Sequence, residues 1–280
     1  MDIEQKLPGP VVMTIAGFDP SGGAGILADV KTLIAFGCLP AAAVTSVTFQ
    51  NIHGVKGAAH QTALTVREQV MSIVAESQVA AVKTGMLPTP EIVREVARLF
   101  RETKLPAPVV DPVLRSTSGY QLMQPDAIEV LLTELMPLAR VITPNIPEAE
   151  RLTDLRVEDE EGMRKAAGKL REMGACAVFV KGGHLRQRSG VSGQGSERTG
   201  PIGQAIDVLD DEGCVTVFRG EWIDAPPVRG TGCMLSSAIA ACLGKGMALE
   251  DAVATAKEFA AGAIRNSELR IQHSQFNTQN

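Results

Sequence analysis

The chain predicts an α/β fold in which a mostly parallel sheet carries helices on both faces. Short apolar runs alternate with helical patterns of about 10 to 15 residues as far as Lys181, the signature of βαβ units. Nearly every run ends in glycine or a reactive polar residue, where open parallel sheets collect ligands. The 280 residues are 45% hydrophobic and 21% charged, enough for an ordinary core in one large domain.

Val11 to Ala16 is an apolar run ending in Gly17, as a buried strand does. After a glycine-rich turn, Ile26, Val30, Leu33 and Ile34 recur at helical spacing until Gly37. The alternation continues with a strand over Ala42 to Thr48, a helix over Val66 to Glu76 and a strand over Ala80 to Thr84. Next come a helix over Glu91 to Glu102, a strand over Pro108 to Asp111, a helix over Asp126 to Leu135 and a strand over Arg140 to Thr143. A helix over 159–173 precedes a strand over Ala177 to Lys181. Residues 186–204 are Gly, Ser, Arg and Gln with little apolar content, which predicts a flexible inserted loop. Ile206 to Leu209 and Cys214 to Phe218 flank Asp210-Asp211-Glu212-Gly213 and read as a hairpin. Helices over Cys233 to Leu243 and Leu249 to Ile264 close the pattern. One domain over 9–267 is expected, with 268–280 a frayed polar tail.

Composition narrows the function. The net charge of -5 is spread along the chain, so no basic face can displace counterions from nucleic acid. No apolar run reaches the roughly 18 residues of a membrane helix, and no signal-like segment precedes Val11. Five scattered cysteines without a C-x-x-C pair point to reduced thiols in a cytoplasmic protein, not to zinc.

Gly230-Thr231-Gly232-Cys233 opens an alanine-rich helix. Such a terminus leaves backbone N–H groups unpaired at the positive end of the helix dipole, which suits phosphate. It also favours the thiolate of Cys233. A structural helix start with a buried cysteine reads the same way. The other strand ends offer Gly17 to Gly25, Gln50-Asn51, Lys83 to Met86, Asp111 to Val113, Thr143 to Glu148 and Lys181 to His184. The first does not match the G-x-G-x-x-G spacing of a dinucleotide site. Asn145 and Glu148 also fit a plain helix cap.

In this order, A-G-F-D-P-S-G-G-A-G (Ala16 to Gly25), T-G-M-L (Thr84 to Leu87), D-P-V (Asp111 to Val113), T-P-N-x-x-E (Thr143 to Glu148), V-K-G-G-H-L (Val180 to Leu185) and G-T-G-C-x-L-S-S-A-I-A-A (Gly230 to Ala241) resemble the hydroxymethylpyrimidine and phosphomethylpyrimidine kinases of thiamine biosynthesis. That resemblance spans about Val11 to Ile264 and implies a ribokinase-like α/β/α sandwich. It implies transfer of the γ-phosphoryl group of ATP, with Mg²⁺, to 4-amino-5-hydroxymethyl-2-methylpyrimidine or its monophosphate. Gly230, Thr231 and Gly232 would hold the transferring group and Cys233 would be the base. Gly17, Asp19, Ala24, Gln50, Met86 and Val113 would form the pyrimidine pocket. Asn145 and Lys181 would bind the nucleotide, and Asp111 and Glu148 the metal. Arg229 is not given by the resemblance; it stands one residue before the anion turn, where a guanidinium either grips a nucleotide phosphate or faces solvent. A homodimer is also implied, although no long apolar stripe demands one.

The loop over 186–204, a lid or plain disorder, is longer than most relatives of that family need, and the chain departs from the family in two motifs. Leu114 to Gly119 lacks the lysine of A-K-S-G, and Ala225 to Arg229 replaces the K-N-T-H approach to the glycine turn. Both departures bear on substrate range. A kinase restricted to the monophosphate, a pyridoxal kinase and a non-catalytic ligand sensor are the alternatives. Asn145, Glu148, Lys181 and Cys233 weigh against the sensor, which needs no phosphoryl machinery. The length leaves no room for a fused thiamine-phosphate synthase.

Overall fold

Alternation of buried side chains along the strands sets the architecture. Val12, Ala81, Val109, Val141 and Ala177 pack on one face of the sheet, while Met13, Val82, Val110, Ile142 and Val178 pack on the other. A parallel sheet covered on both sides requires this two-faced burial. The structure is a computed structural model that describes residues 9–51, 53–183, 204–221, 223 and 229–276, without the side chains of 266–276.

The strands are β1 (Val11–Phe18), β2 (Leu39–Asn51), β3 (Gly54–His60), β4 (Val79–Thr84), β5 (Val109–Val110), β6 (Val141–Ile142), β7 (Ala177–Val180), β8 (Gln204–Asp211) and β9 (Cys214–Glu221). They form one nine-stranded sheet in the order β3-β2-β1-β4-β5-β6-β7-β8-β9. β2, β1, β4, β5, β6 and β7 pair in parallel, and β3, β8 and β9 add antiparallel edges. The helices are α1 (Gly25–Ala35), α2 (Ala63–Glu76), α3 (Pro90–Glu102), α4 (Pro125–Val130), α5 (Ile146–Thr153), α6 (Glu160–Glu172), α7 (Thr231–Gly244) and α8 (Leu249–Phe276). Residues from α1, α7 and α8 fill one core layer, and residues from α2 to α6 fill the other.

Chain order runs outward in both directions from β1, so the switch point lies between β1 and β4. Ligand crevices of open α/β sheets form there, at the carboxyl ends of the strands. On α7, Ala238, Ala240 and Ala241 are fully buried, and small side chains let the helix lie close on the sheet. A Cβ at Gly244 would stand 3.1 Å from Val12 and 3.2 Å from Ala81. The alanine-rich composition thus places the N-terminus of α7 directly above the switch point.

The structure differs from the expected pattern at three elements. β3 is absent from the predicted pattern, because Gly54 to His60 is half glycine and alanine, and its strand conformation comes from pairing with an extended β2. α8 continues to Phe276, so much of the expected frayed tail is helical. The expected hairpin is present as β8 and β9, with β8 starting at Gln204. The rest of the predicted inserted loop, 186–203, lies outside the described residues.

Candidate active site

Gly230 N-caps α7 in the left-handed region, with φ 77°, and no side chain caps the helix. A Cβ there would stand 2.2 Å from the Gly23 carbonyl oxygen, so only glycine permits this approach to the β1–α1 turn. The first helical bond runs from the Met234 N–H to the Gly230 oxygen, at 2.8 Å. The amides of Thr231, Gly232 and Cys233 therefore have no carbonyl partner within the helix. They open into a cleft of about 1980 Å³ at the carboxyl ends of the strands.

Every pocket, nucleotide and metal residue named from the sequence lines this cleft: Gly17, Asp19, Ala24, Gln50, Met86, Val113, Asp111, Asn145, Glu148, Lys181 and Arg229. A Cβ on Gly17 would meet the Met86 sulfur at 2.9 Å, so the bare glycine lets Met86 form the cleft wall. Gln50 accepts a hydrogen bond from Thr48 Oγ1 at 3.1 Å, which fixes the orientation of its amide. Asp19 Oδ1 accepts from the Ser21 amide and hydroxyl at 2.9 and 2.7 Å, bracing the turn.

A buried charged group stands opposite the α7 turn. Lys181 Nζ donates to Asp111 Oδ1 at 2.9 Å, Thr143 donates to the same oxygen at 3.3 Å, and Ser236 of α7 donates to Oδ2 at 3.3 Å. A Cβ on Gly232 would lie 3.4 Å from Lys181 Nζ, which places this ammonium at the mouth of the anion turn. Burial would raise the Asp111 carboxyl, yet Lys181 and Lys83 hold it below the usual range. Burial would lower Lys181, but Asp111 and Glu148 outweigh it and keep the lysine charged.

Asn145 and Glu148 form the capping box that the plain reading anticipates. Asn145 Oδ1 accepts from the Glu148 amide and Glu148 Oε2 accepts from the Asn145 amide, both at 2.9 Å. Burial pushes the Glu148 carboxyl up to about 7, with part of the rise offset by Lys181. Among the described residues no three His, Cys, Asp or Glu side chains cluster as a metal cage.

Two site expectations change. A helix terminus favours the Cys233 thiolate, but burial dominates and pushes this thiol up to about 11 despite nearby Lys83. Arg229 is expected on the nucleotide, but its guanidinium turns to the β1–α1 side. Nη2 pairs with Asp19 Oδ2 at 3.1 Å, and Nη1 donates to the Asn51 carbonyl at 2.6 Å and Ser21 Oγ at 3.4 Å.

Sequence reasoning passes over one polar cluster. Lys83 on β4 reaches both oxygens of Asp29 on α1, and Asp29 also accepts from Thr14 at 2.6 Å and Ser237 at 2.8 Å. The available signal is Asp29 itself, an acid one helical turn after Gly25 between the apolar Ile26, Val30 and Leu33.

Comparison with known proteins gives concordant results. The sequence model described as phosphomethylpyrimidine kinase matches residues 19–279. A hydroxymethylpyrimidine/phosphomethylpyrimidine kinase of Streptomyces coelicolor is 42% identical over 255 residues, 91% of this chain and 88% of that one. The crystal structure of phosphomethylpyrimidine kinase from Clostridium difficile superposes with a TM-score of 0.76 at 34% identity, covering 91% of this chain and 99% of that chain. An ADP complex of Bacillus subtilis pyridoxal kinase gives a TM-score of 0.77 at 34% identity, covering 90% of each chain.

Proposed function

The chain belongs to the phosphomethylpyrimidine kinase family, and from that premise we propose that it phosphorylates the pyrimidine precursor of thiamine. It is a phosphotransferase with a ribokinase-like fold. In the proposed reaction an acceptor oxygen bonds to the γ-phosphorus of ATP, the bond to the β,γ-bridging oxygen breaks, and ADP leaves. The acceptor is 4-amino-5-hydroxymethyl-2-methylpyrimidine, through its hydroxymethyl oxygen, or its monophosphate, through a phosphate oxygen.

The observation that carries this reading is the uncapped α7 turn with the Lys181 ammonium at its mouth. Phosphoryl transfer proceeds through a loose transition state, so positioning and charge stabilisation supply most of the rate. The amides of Thr231, Gly232 and Cys233 would bind the transferring oxygens, and Lys181 would neutralise them as a point charge. Met86 and Val113 would cover the ring, with the Gln50 amide bonding its polar edge. Cys233 would take the hydroxymethyl proton as its thiolate, becoming the neutral thiol; burial keeps that thiolate a minor form at pH 7.

Asp111 and Glu148 fit Mg²⁺. This ion keeps its waters and leans on one or two carboxylates plus substrate phosphates, so it needs no three-residue cage, and none is found among the described residues. Bound with the nucleotide, Mg²⁺ would offset phosphate charge. A cytoplasmic homodimer is part of the same family reading. Exposed Val47 and Phe49 on β2 support the dimer, and sedimentation of the purified chain tests it.

An ATP-consumption assay with the pyrimidine alcohol, its monophosphate and pyridoxal tests the function. Turnover of the alcohol or the monophosphate supports it. Turnover of pyridoxal alone assigns a pyridoxal kinase, and binding without turnover assigns a sensor.

A further inference from the structure

Arg229 immediately precedes the α7 turn, yet its side chain serves the adjoining β1–α1 turn. Its guanidinium lies over the β1–α1 turn, with Cζ 3.7 Å from where a Cβ on Gly23 would stand. It pairs with Asp19, which is 2% exposed, and it bonds the Asn51 carbonyl at the end of β2, one residue past Gln50. Arg229 thus joins the elements that carry the acceptor pocket to the residue that opens the phosphate turn.

The contacts also define what the side chain has left to offer. Both hydrogens on Nη1 and one on Nη2 are used by Asn51, Ser21 and Asp19. Nε and the second Nη2 hydrogen have no hydrogen bond among the described residues. These two N–H groups share one edge of the guanidinium, spaced to match two oxygens of a phosphate. Each lysine lining the cleft already faces a carboxylate, Lys83 that of Asp29, Lys181 that of Asp111 and Lys257 that of Asp207.

We propose that Arg229 determines specificity for the phosphorylated acceptor, its Nε and Nη2 edge binding the ester phosphate while Asp19 and the Asn51 carbonyl hold it in place. This inference rests on the kinase reading above and narrows it. A phosphate monoester carries about 1.5 to 2 negative charges at pH 7 and must approach a triphosphate that is also anionic. A guanidinium between the ring pocket and the α7 turn meets that requirement, whereas the alcohol substrate makes no such demand.

The test is steady-state kinetics of the full chain with both acceptors at saturating ATP. For Arg229→Gln the ratio of kcat/KM for monophosphate over alcohol should fall about 10- to 100-fold, the loss expected for charge-assisted hydrogen bonds. The fall should reside in the KM for the monophosphate, not in that for ATP. Arg229→Lys keeps the charge without the fork and should lie between; it carries the test if Arg229→Gln does not fold. Equal losses with both acceptors, a loss confined to the KM for ATP, or wild-type turnover of the alcohol alone overturns the inference while leaving the kinase reading intact. Wild-type inactivity with both acceptors overturns the kinase reading and the inference together.

Discussion

Lys83 and Asp29 form a doubly hydrogen-bonded ion pair at 3.0 and 2.9 Å, with side chains 1% and 0% exposed. Thr14 and Ser237 complete the shell of the carboxylate, so β1, β4, α1 and α7 meet at one buried charge. Ser237 lies one helical turn beyond Cys233, which ties the anion turn to the sheet. Removing one partner strands the other charge, so Lys83→Met should lower the unfolding free energy by about 3–5 kcal/mol in urea titration. A loss under about 1 kcal/mol would show that the pair does not brace the site.

Gly230→Ala meets two obstacles, a φ of 77° and a carbonyl 2.2 Å from the new Cβ. The turn must open, which displaces the amides of Thr231 to Cys233. Turnover should fall by about 10²- to 10³-fold, as when a donor is removed from an oxyanion site. Circular dichroism should remain that of a folded chain. Wild-type turnover would detach the turn from catalysis.

Cys233 should matter unequally to the two acceptors. The alcohol must lose a proton, whereas a phosphate monoester is mostly ionised at pH 7 and needs no base. Cys233→Ala should therefore cost about 10²- to 10⁴-fold in kcat with the alcohol and much less with the monophosphate. Site-resolved alkylation of the free enzyme should show Cys233 reacting slowly at neutral pH, with its rate rising toward pH 11. Fast neutral alkylation would contradict the effect of burial on this thiol.

Glu148 gives a pH test with a definite sign. Its carboxyl titrates near 7 in the folded chain, against about 4.3 in an unfolded one. The folded state holds that proton more tightly, so this contribution to stability is complete below about pH 4.3 and is lost as pH rises through 7. Glutamine can still close the capping box. Glu148→Gln should therefore gain on wild type in Tm between pH 5 and pH 8, in nucleotide-free protein. A Tm difference that does not change with pH would contradict the buried carboxyl.

Much of this architecture is legible because each parallel strand hands the chain on to glycine or a reactive polar residue. The runs ending at Ala16, Thr84, Asp111, Thr143 and Lys181 deliver their polar residues to one cleft, and periodicity alone locates them. The hidden features depend on contacts between distant segments. β3 has too few apolar residues to declare itself and becomes a strand only against β2. Asp29 looks like one more polar residue until Lys83 comes to it across the core. The thiol of Cys233 is misjudged because a helix terminus can be read from sequence, whereas the burial that outweighs it cannot. Chain proximity puts Arg229 on the nucleotide, yet its partner Asp19 is 210 positions away.

The most direct measurement is a crystal structure with a non-hydrolysable ATP analogue and the pyrimidine monophosphate bound together. The account predicts γ-phosphoryl oxygens at about 2.7–3.2 Å from the amide nitrogens of Gly232 and Cys233, facing Lys181. A γ-phosphoryl group bound elsewhere, with those amides left to solvent, would contradict it.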